Sequence, residues 1–155
     1  VLSQMNLCLN LGKKKLKNLK EINWVCSQAE KLPFKDESFD LYSVSFGIRN
    51  FSNIDQSLKE ARRVLKTGGR ILCLEFSKVE NEILKKLYKT YSKSIPYIGK
   101  YVTGKLEPYK YLVDSIDRFY DQEKLSDIFK KNGFCKIEYR NLSGGIAAIH
   151  SGWKI

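Results

Sequence analysis

The chain has one histidine, one methionine and three prolines among 155 residues, and its four cysteines stand far apart. Cys8, Cys26, Cys73 and Cys135 form no CxxC pair, and His150 is the sole imidazole. That excludes a zinc finger or ribbon and argues against any metal site or disulfide framework in a chain of this size. The cysteines read as reduced thiols of an intracellular protein, with Cys26 and Cys73 in strand-like runs as core residues. No apolar run reaches the length of a membrane span, and the first residues show no signal-peptide pattern. The chain opens on Val1 rather than methionine, which predicts residues upstream of it. Acidic side chains are scarce: 17 Asp and Glu against 28 Lys and Arg leave a net charge of +11. Such an excess draws a protein toward anionic surfaces. The lysines are spread out, with one dense patch at Lys13 to Lys20. There is no RNP motif, helix-turn-helix signature or finger spacing, so a solvated surface is favoured over a nucleic-acid footprint.

What is present is a globular composition, 43% hydrophobic, long enough for one domain with its own core. No repeat, low-complexity tract or domain boundary interrupts it. Ser38 to Asn50 organises the rest. Phe39, Leu41, Val44 and Phe46 make an apolar strand that stops at Gly47 and presents Ile48, Arg49 and Asn50. In open α/β sheets the carboxyl ends of the strands are where ligands bind.

The other elements arrange around that strand. Leu7 to Leu19 reads as an amphipathic helix and Asn23–Cys26 as a short strand. Ser27 to Pro33 is a loop. Asn53 is the N-cap of a helix to about Lys66, with Ile54, Leu58, Ala61 and Leu65 on one face and Gly68–Gly69 as its stop. Arg70 to Phe76 is a near-continuous apolar strand of the parallel-sheet kind, completing a βαβ unit. Helical spacing from Glu80 to about Ser94 is closed by Pro96, and 97–118 reads as an irregular, tyrosine-rich connection with the length of a lid. Asp121 caps a further helix, which ends at Gly133. Phe134–Asn141 and Ile146–Trp153 form a terminal hairpin around Ser143–Gly145. The fold class is therefore α/β, a doubly wound and mostly parallel sheet with an antiparallel C-terminal hairpin.

Four stretches carry more than a fold. AEKLPFKDESFD, SFGIRNFSNIDQSLKEARRVLKTGGRILCLEFSK, YLVDSIDRF and GGIAAIHSGWK together resemble the ubiquinone/menaquinone biosynthesis C-methyltransferases, the UbiE family of class I S-adenosylmethionine-dependent methyltransferases. GIRN, LEFSK and the GIxAIHxGxK terminus are the specific parts; AExLPF and VLKxGG occur widely among methyltransferases.

The resemblance implies an enzyme that moves a methyl group from S-adenosylmethionine to a ring carbon of a polyprenylated benzoquinol or naphthoquinol. It implies that Gln28 and Ala29 meet the adenine and that Ser45 contacts the cofactor. The family's first strand and glycine-rich loop would precede Val1. Its acidic ribose ligand would fall near residues 1 to 3, where Val1, Leu2 and Ser3 stand. That departure motivates an alternative, a catalytically inactive truncated homologue acting as a scaffold in the quinone pathway.

Arg49 is the first candidate for the chemistry. A guanidinium stays protonated, so its role would be to steady a quinol oxyanion or orient a water, with Asn50 helping to fix either. The competing reading is an arginine that pairs with an acidic side chain and caps the strand end. His150 is the one side chain that titrates near neutrality and could take the proton, but a lone histidine in a strand is more often structural. Tyr109, Tyr111 and Ser115 would line the quinol pocket or simply cover the core. An isoprenoid tail implies work at an anionic membrane surface in the bacterial cytoplasm or mitochondrial matrix. Lys13 to Lys20 or the segment after Pro96 would supply the contact. A homodimer or a quinone-biosynthesis complex is the expected assembly, and no nucleic-acid partner is expected.

Overall fold

The computed structural model describes residues 22–155. The Leu7–Leu19 helix, the Lys13–Lys20 patch and the Val1–Ser3 positions lie outside the described residues. Among the described residues four strands form one sheet in the order β1 (Phe39–Ser45), β2 (Leu65–Phe76), β4 (Ala147–Trp153), β3 (Cys135–Leu142). β1 and β2 are parallel, and β4 runs antiparallel to both β2 and β3. The reversed last strand expected from the terminal hairpin is there, inserted between β2 and β3.

α1 (Ile54–Val64) begins where its sequence says it should: Asn53 Oδ1 accepts the Gln56 amide at 3.0 Å, satisfying one of the helix's free N–H groups. Its apolar stripe buries Leu58, Ala61 and Val64. Leu58 and Ala61 pack with Ile71 and Cys73 of β2 and with Leu125 and Phe129 of α4 (Gln122–Lys131). Ile71 and Cys73 share a face because strand side chains alternate. α1 and α4 therefore cover that face, while Leu72 and Leu74 on the other are half-buried. Each fully buried Leu, Ile or Phe contributes about 1.5–3 kcal/mol. Asp121 caps α4 by accepting the Lys124 amide at 2.8 Å.

Several expectations fail for identifiable reasons. α1 stops at Val64, and the two glycines lie inside β2 instead of ending the helix. Fully buried Leu65 pulls the chain into the sheet early, and 66–69 bulge between the pairs Phe39–Leu65 and Leu41–Arg70. Gly68 takes φ +81°, and a Cβ on Gly69 would sit 2.8 Å from the Lys66 carbonyl. Glycine marks a strand bulge here. Asn23–Cys26 pairs with no strand among the described residues, and Cys26 is exposed rather than core; Cys73 is fully buried. Pro96 does not close its helix. α2 (Glu82–Thr103) runs through it to Gly104, whose left-handed φ of 72° ends the helix. Proline fixes a helical φ, so its cost is one lost hydrogen bond and crowding. Packing against the next helix offsets that: Gly99 is buried with the Tyr109 ring so close that a Cβ could not fit. Finally, 97–118 is not irregular, because α3 (Glu107–Arg118) fills most of it.

Candidate functional site

The site is built at the carboxyl edge of β1 and β2. β1 ends at Ser45, and Phe46 then adopts a left-handed φ of 51°. Non-glycine residues carry that conformation at a cost of about 1–3 kcal/mol, typically where geometry matters. It turns the Phe46 carbonyl toward the Arg49 guanidinium, which donates to it from Nη1 at 2.7 Å. Ile48–Asn50 make one 3-10 turn, pinned by Ile48, which is fully buried in the core. With Ile48 inward, Arg49 and Asn50 are delivered to the edge.

Arg49 is gripped from several sides. Nη1 also donates to Glu75 Oε1 at 2.8 Å, and Nε donates to Ser115 Oγ at 3.4 Å. The guanidinium lies 5.4 Å from the centre of the Phe76 ring, a cation–π contact. Nη2 makes no hydrogen bond among the described residues. Glu75 is 1% exposed, and Oε1 also accepts the Phe76 amide at 3.0 Å. Arg49 thus pairs with a buried carboxylate, as the competing reading has it, and it also lines a cavity. That groove, about 340 Å³, is walled by Arg49, Ile54, Tyr111, Asp114, Ser115 and Phe119. Its volume is at the low end of the roughly 300–1,000 Å³ of small-molecule sites.

α3 brings two further expected residues to the edge. Tyr111 donates its hydroxyl to Asn50 Oδ1 at 3.1 Å, and Ser115 receives Arg49. Lys78 fixes that helix: its ammonium donates to the last carbonyls, Ile116 and Asp117, at 3.0 and 2.7 Å. Burial lowers the Lys78 pKa. Tyr109 goes elsewhere, against Gly99 of α2, as a packing residue.

The loop of Gln28 and Ala29 is tied to the same edge. Glu30 Oε1 accepts the Asn53 amide at 3.0 Å, joining the loop to the start of α1. Burial opposes the Glu30 charge, but hydrogen bonds from backbone N–H groups, Asn53 first, outweigh it and lower the pKa. Farther along, Glu60 Oε2 accepts the Leu32 amide at 2.9 Å, while Arg63 donates to the Leu32 and Phe34 carbonyls. Hydrogen bonds from Arg63 lower the Glu60 pKa to about 2. The Gln28 amide and the Ser45 hydroxyl make no hydrogen bond among the described residues, and both are exposed. Both polar groups are therefore open to solvent at this edge, able to bond a polar ligand.

His150 is not brought to the groove. It is 1% exposed, between the rings of Phe129 and Tyr139, with Nε2 3.0 Å from the Gln122 carbonyl and Nδ1 unpartnered. A bond to a carbonyl requires a proton on Nε2, which fixes the neutral tautomer. Burial lowers its pKa against that bond. Neither Glu75 nor Lys78 stands out from the sequence motifs. The signal was available: Glu75 occupies an inward position of the apolar run RILCLEF, where a charge needs a partner.

This fold is shared with S-adenosylmethionine-dependent methyltransferases of known structure. The Aquifex aeolicus enzyme of that description matches with a TM-score of 0.64 at 15% identity, over 95% of this chain and 63% of that one. The [4+2]-cyclase SpnF matches equally well, TM-score 0.64 at 16% identity over 98% of this chain and 63% of that one, so the likeness fixes the architecture alone.

Sequence decides the family. Residues 2–154 match the ubiE/COQ5 methyltransferase family, and the chain belongs to it. It is 53% identical over 135 residues to the ubiquinone/menaquinone biosynthesis C-methyltransferase UbiE of Brucella canis, covering 86% of this chain and 50% of that protein. It is 51% identical to the mitochondrial 2-methoxy-6-polyprenyl-1,4-benzoquinol methylase of Danio rerio, covering 86% and 41%. The chain therefore spans about half the length of these relatives or less.

Proposed function

We propose that the protein C-methylates the ring of a polyprenylated benzoquinol or naphthoquinol in ubiquinone or menaquinone biosynthesis, with S-adenosylmethionine as donor. The observation that carries the reading is the Arg49 guanidinium, held at the carboxyl edge of the sheet beside a groove, in a chain of this family. S-adenosylmethionine supplies an electrophilic methyl group when bound. Gln28, Ala29 and Ser45 would hold its nucleoside.

A ring carbon becomes a competent nucleophile when a neighbouring hydroxyl loses its proton. Arg49 favours that oxyanion: its Nη2 donors have no partner among the described residues, and its position is set before the substrate arrives, so no reorganisation is needed. Tyr111 donates its hydroxyl hydrogen bond to Asn50, which leaves its oxygen able to accept from a quinol hydroxyl. Phe119 and Ile54 provide an apolar wall for the ring. The fixed groove supplies orientation, which can be a large part of the rate. Work at the membrane face, in the bacterial cytoplasm or mitochondrial matrix, goes with the isoprenoid tail.

The test is methyl transfer by the complete protein from labelled S-adenosylmethionine to demethyl-benzoquinol and demethyl-naphthoquinol carriers of short tail length. Label in the extracted quinol supports the reading. Bound cofactor with no label in either quinol overturns it.

A further inference from the structure

α2 has three faces, and the described residues pack against one of them. Tyr88, Ser92 and Ile95 turn toward Leu112 and Ile116 of α3 around a small cavity of about 60 Å³. A second face carries Ile83, Leu87, Tyr91, Ile98, Tyr101 and Val102. These positions recur at three, four and seven residues, one stripe along a helix about 33 Å long. All six are exposed, from 52% at Ile98 to 93% at Tyr101. A third face holds Lys85, Lys86, Lys89 and Lys100, all exposed. Five lysines and a single glutamate fall within Glu82–Thr103. An apolar stripe of this length, with Ser94 alone set within it, is more than scattered surface hydrophobics require.

We propose that this face of α2 docks on an anionic lipid bilayer, lying in the plane of the interface with the stripe in the acyl boundary and the lysines on the headgroups. Three features select lipid over a protein partner. The lysine row runs alongside the apolar stripe, whereas the cores of protein interfaces are depleted in lysine. Tyrosines at 91 and 101 put an apolar ring with a polar tip where membrane boundaries favour it. The exposed surface of the helix divides into an apolar stripe and a lysine row, and no helix among the described residues is long and apolar enough to cross a membrane. The surface stands independently of the ring chemistry, and its assignment survives if the quinol substrate is wrong.

The experiment is co-sedimentation of the complete protein, without substrate, with phosphatidylcholine vesicles and with phosphatidylcholine–phosphatidylglycerol vesicles. Binding is expected to the anionic vesicles and to weaken with salt. Each lysine near an anionic surface accounts for about fivefold in partitioning, so Lys86→Glu with Lys89→Glu should lose more than about tenfold. Leu87→Asp with Ile98→Asp should lose at least as much. Both pairs lie on exposed faces, so thermal unfolding should stay at the parent temperature. A second readout needs no disruptive variant: Tyr101→Trp should add emission that shifts to the blue on anionic vesicles and is quenched by brominated lipid. Vesicle binding unaffected by either pair, or a Tyr101→Trp signal unchanged by lipid, overturns the proposal. So does a dimer that Leu87→Asp with Ile98→Asp converts to monomer while vesicle binding persists, since the face would then join two copies of the chain.

Discussion

Arg49 Nη1 and Glu75 Oε1 meet at 2.8 Å where the two parallel strands end, with side chains 9% and 1% exposed. One residue leaves the strand that opens the βαβ unit, and the other closes it. The buried carboxylate aims the guanidinium, and Phe46 and Ser115 restrict it further. Removing one partner of such a pair leaves an uncompensated buried charge.

Glu75→Ala is therefore expected to cost about 3–5 kcal/mol of stability, read by urea denaturation. Glu75→Gln keeps an acceptor for Arg49 and should cost less. At saturating substrates Glu75→Gln should still lower turnover, because the guanidinium is held less firmly. Full stability and full turnover in Glu75→Ala would remove the pair from both roles.

His150 gives a pH signature. Its folded pKa lies below the ordinary value near 6.5, so the fold favours the neutral ring. Below about pH 6.5 the unfolded chain binds the extra proton and the folded chain does not, so stability falls as pH falls. The stability from this group is complete above that pH and is lost through the lowered folded value. Melting temperature should drop between neutrality and mild acid in the parent protein, with a shallower drop in His150→Phe. Equal slopes would contradict the buried, neutral assignment.

Glu60 acts at a lower pH. Its folded pKa of about 2 lies below the ordinary 4.5, so its contribution is present above 4.5 and lost as pH falls toward 2. Glu60→Gln should flatten acid unfolding in that window. It should also weaken S-adenosylmethionine binding at pH 7 by titration calorimetry, because Glu60 and Arg63 hold the stretch that follows Gln28 and Ala29.

Tyr111→Phe removes the bond to Asn50 at an exposed position. Stability should change by no more than about 1 kcal/mol. KM for the quinol should rise while cofactor affinity holds. An unchanged KM would take Tyr111 out of the substrate groove.

These residues also show what the sequence could express. The caps Asn53 and Asp121 are local: one side chain bonds one nearby amide, and pattern suffices. Arg49, Asn50, Tyr111 and Ser115 can be proposed because motifs name them, yet their meeting depends on α3, whose own segment reads as an irregular lid. Pro96 and the tyrosines suggested a broken chain, whereas contact between Gly99 and Tyr109 made two helices. The Gly68–Gly69 pair has the look of a helix stop from within its own segment. Its use as a bulge depends on Asp40 across the sheet, whose carbonyl oxygen would lie 3.2 Å from a Cβ on Gly69, a non-local fact. Glu75 is legible in principle, as a charge at a buried alternation point within reach of an arginine that needs a partner.

The most direct test of the central claim is turnover of Arg49→Lys at saturating S-adenosylmethionine, with cofactor affinity measured alongside. Lysine keeps a positive charge for Glu75, so folding is spared, but it lacks the guanidinium fork that leaves Nη2 for the oxyanion. The account predicts a loss of about 10²–10³ in turnover, the scale of a removed oxyanion donor, with unchanged cofactor affinity. Turnover equal to the parent protein's would contradict it.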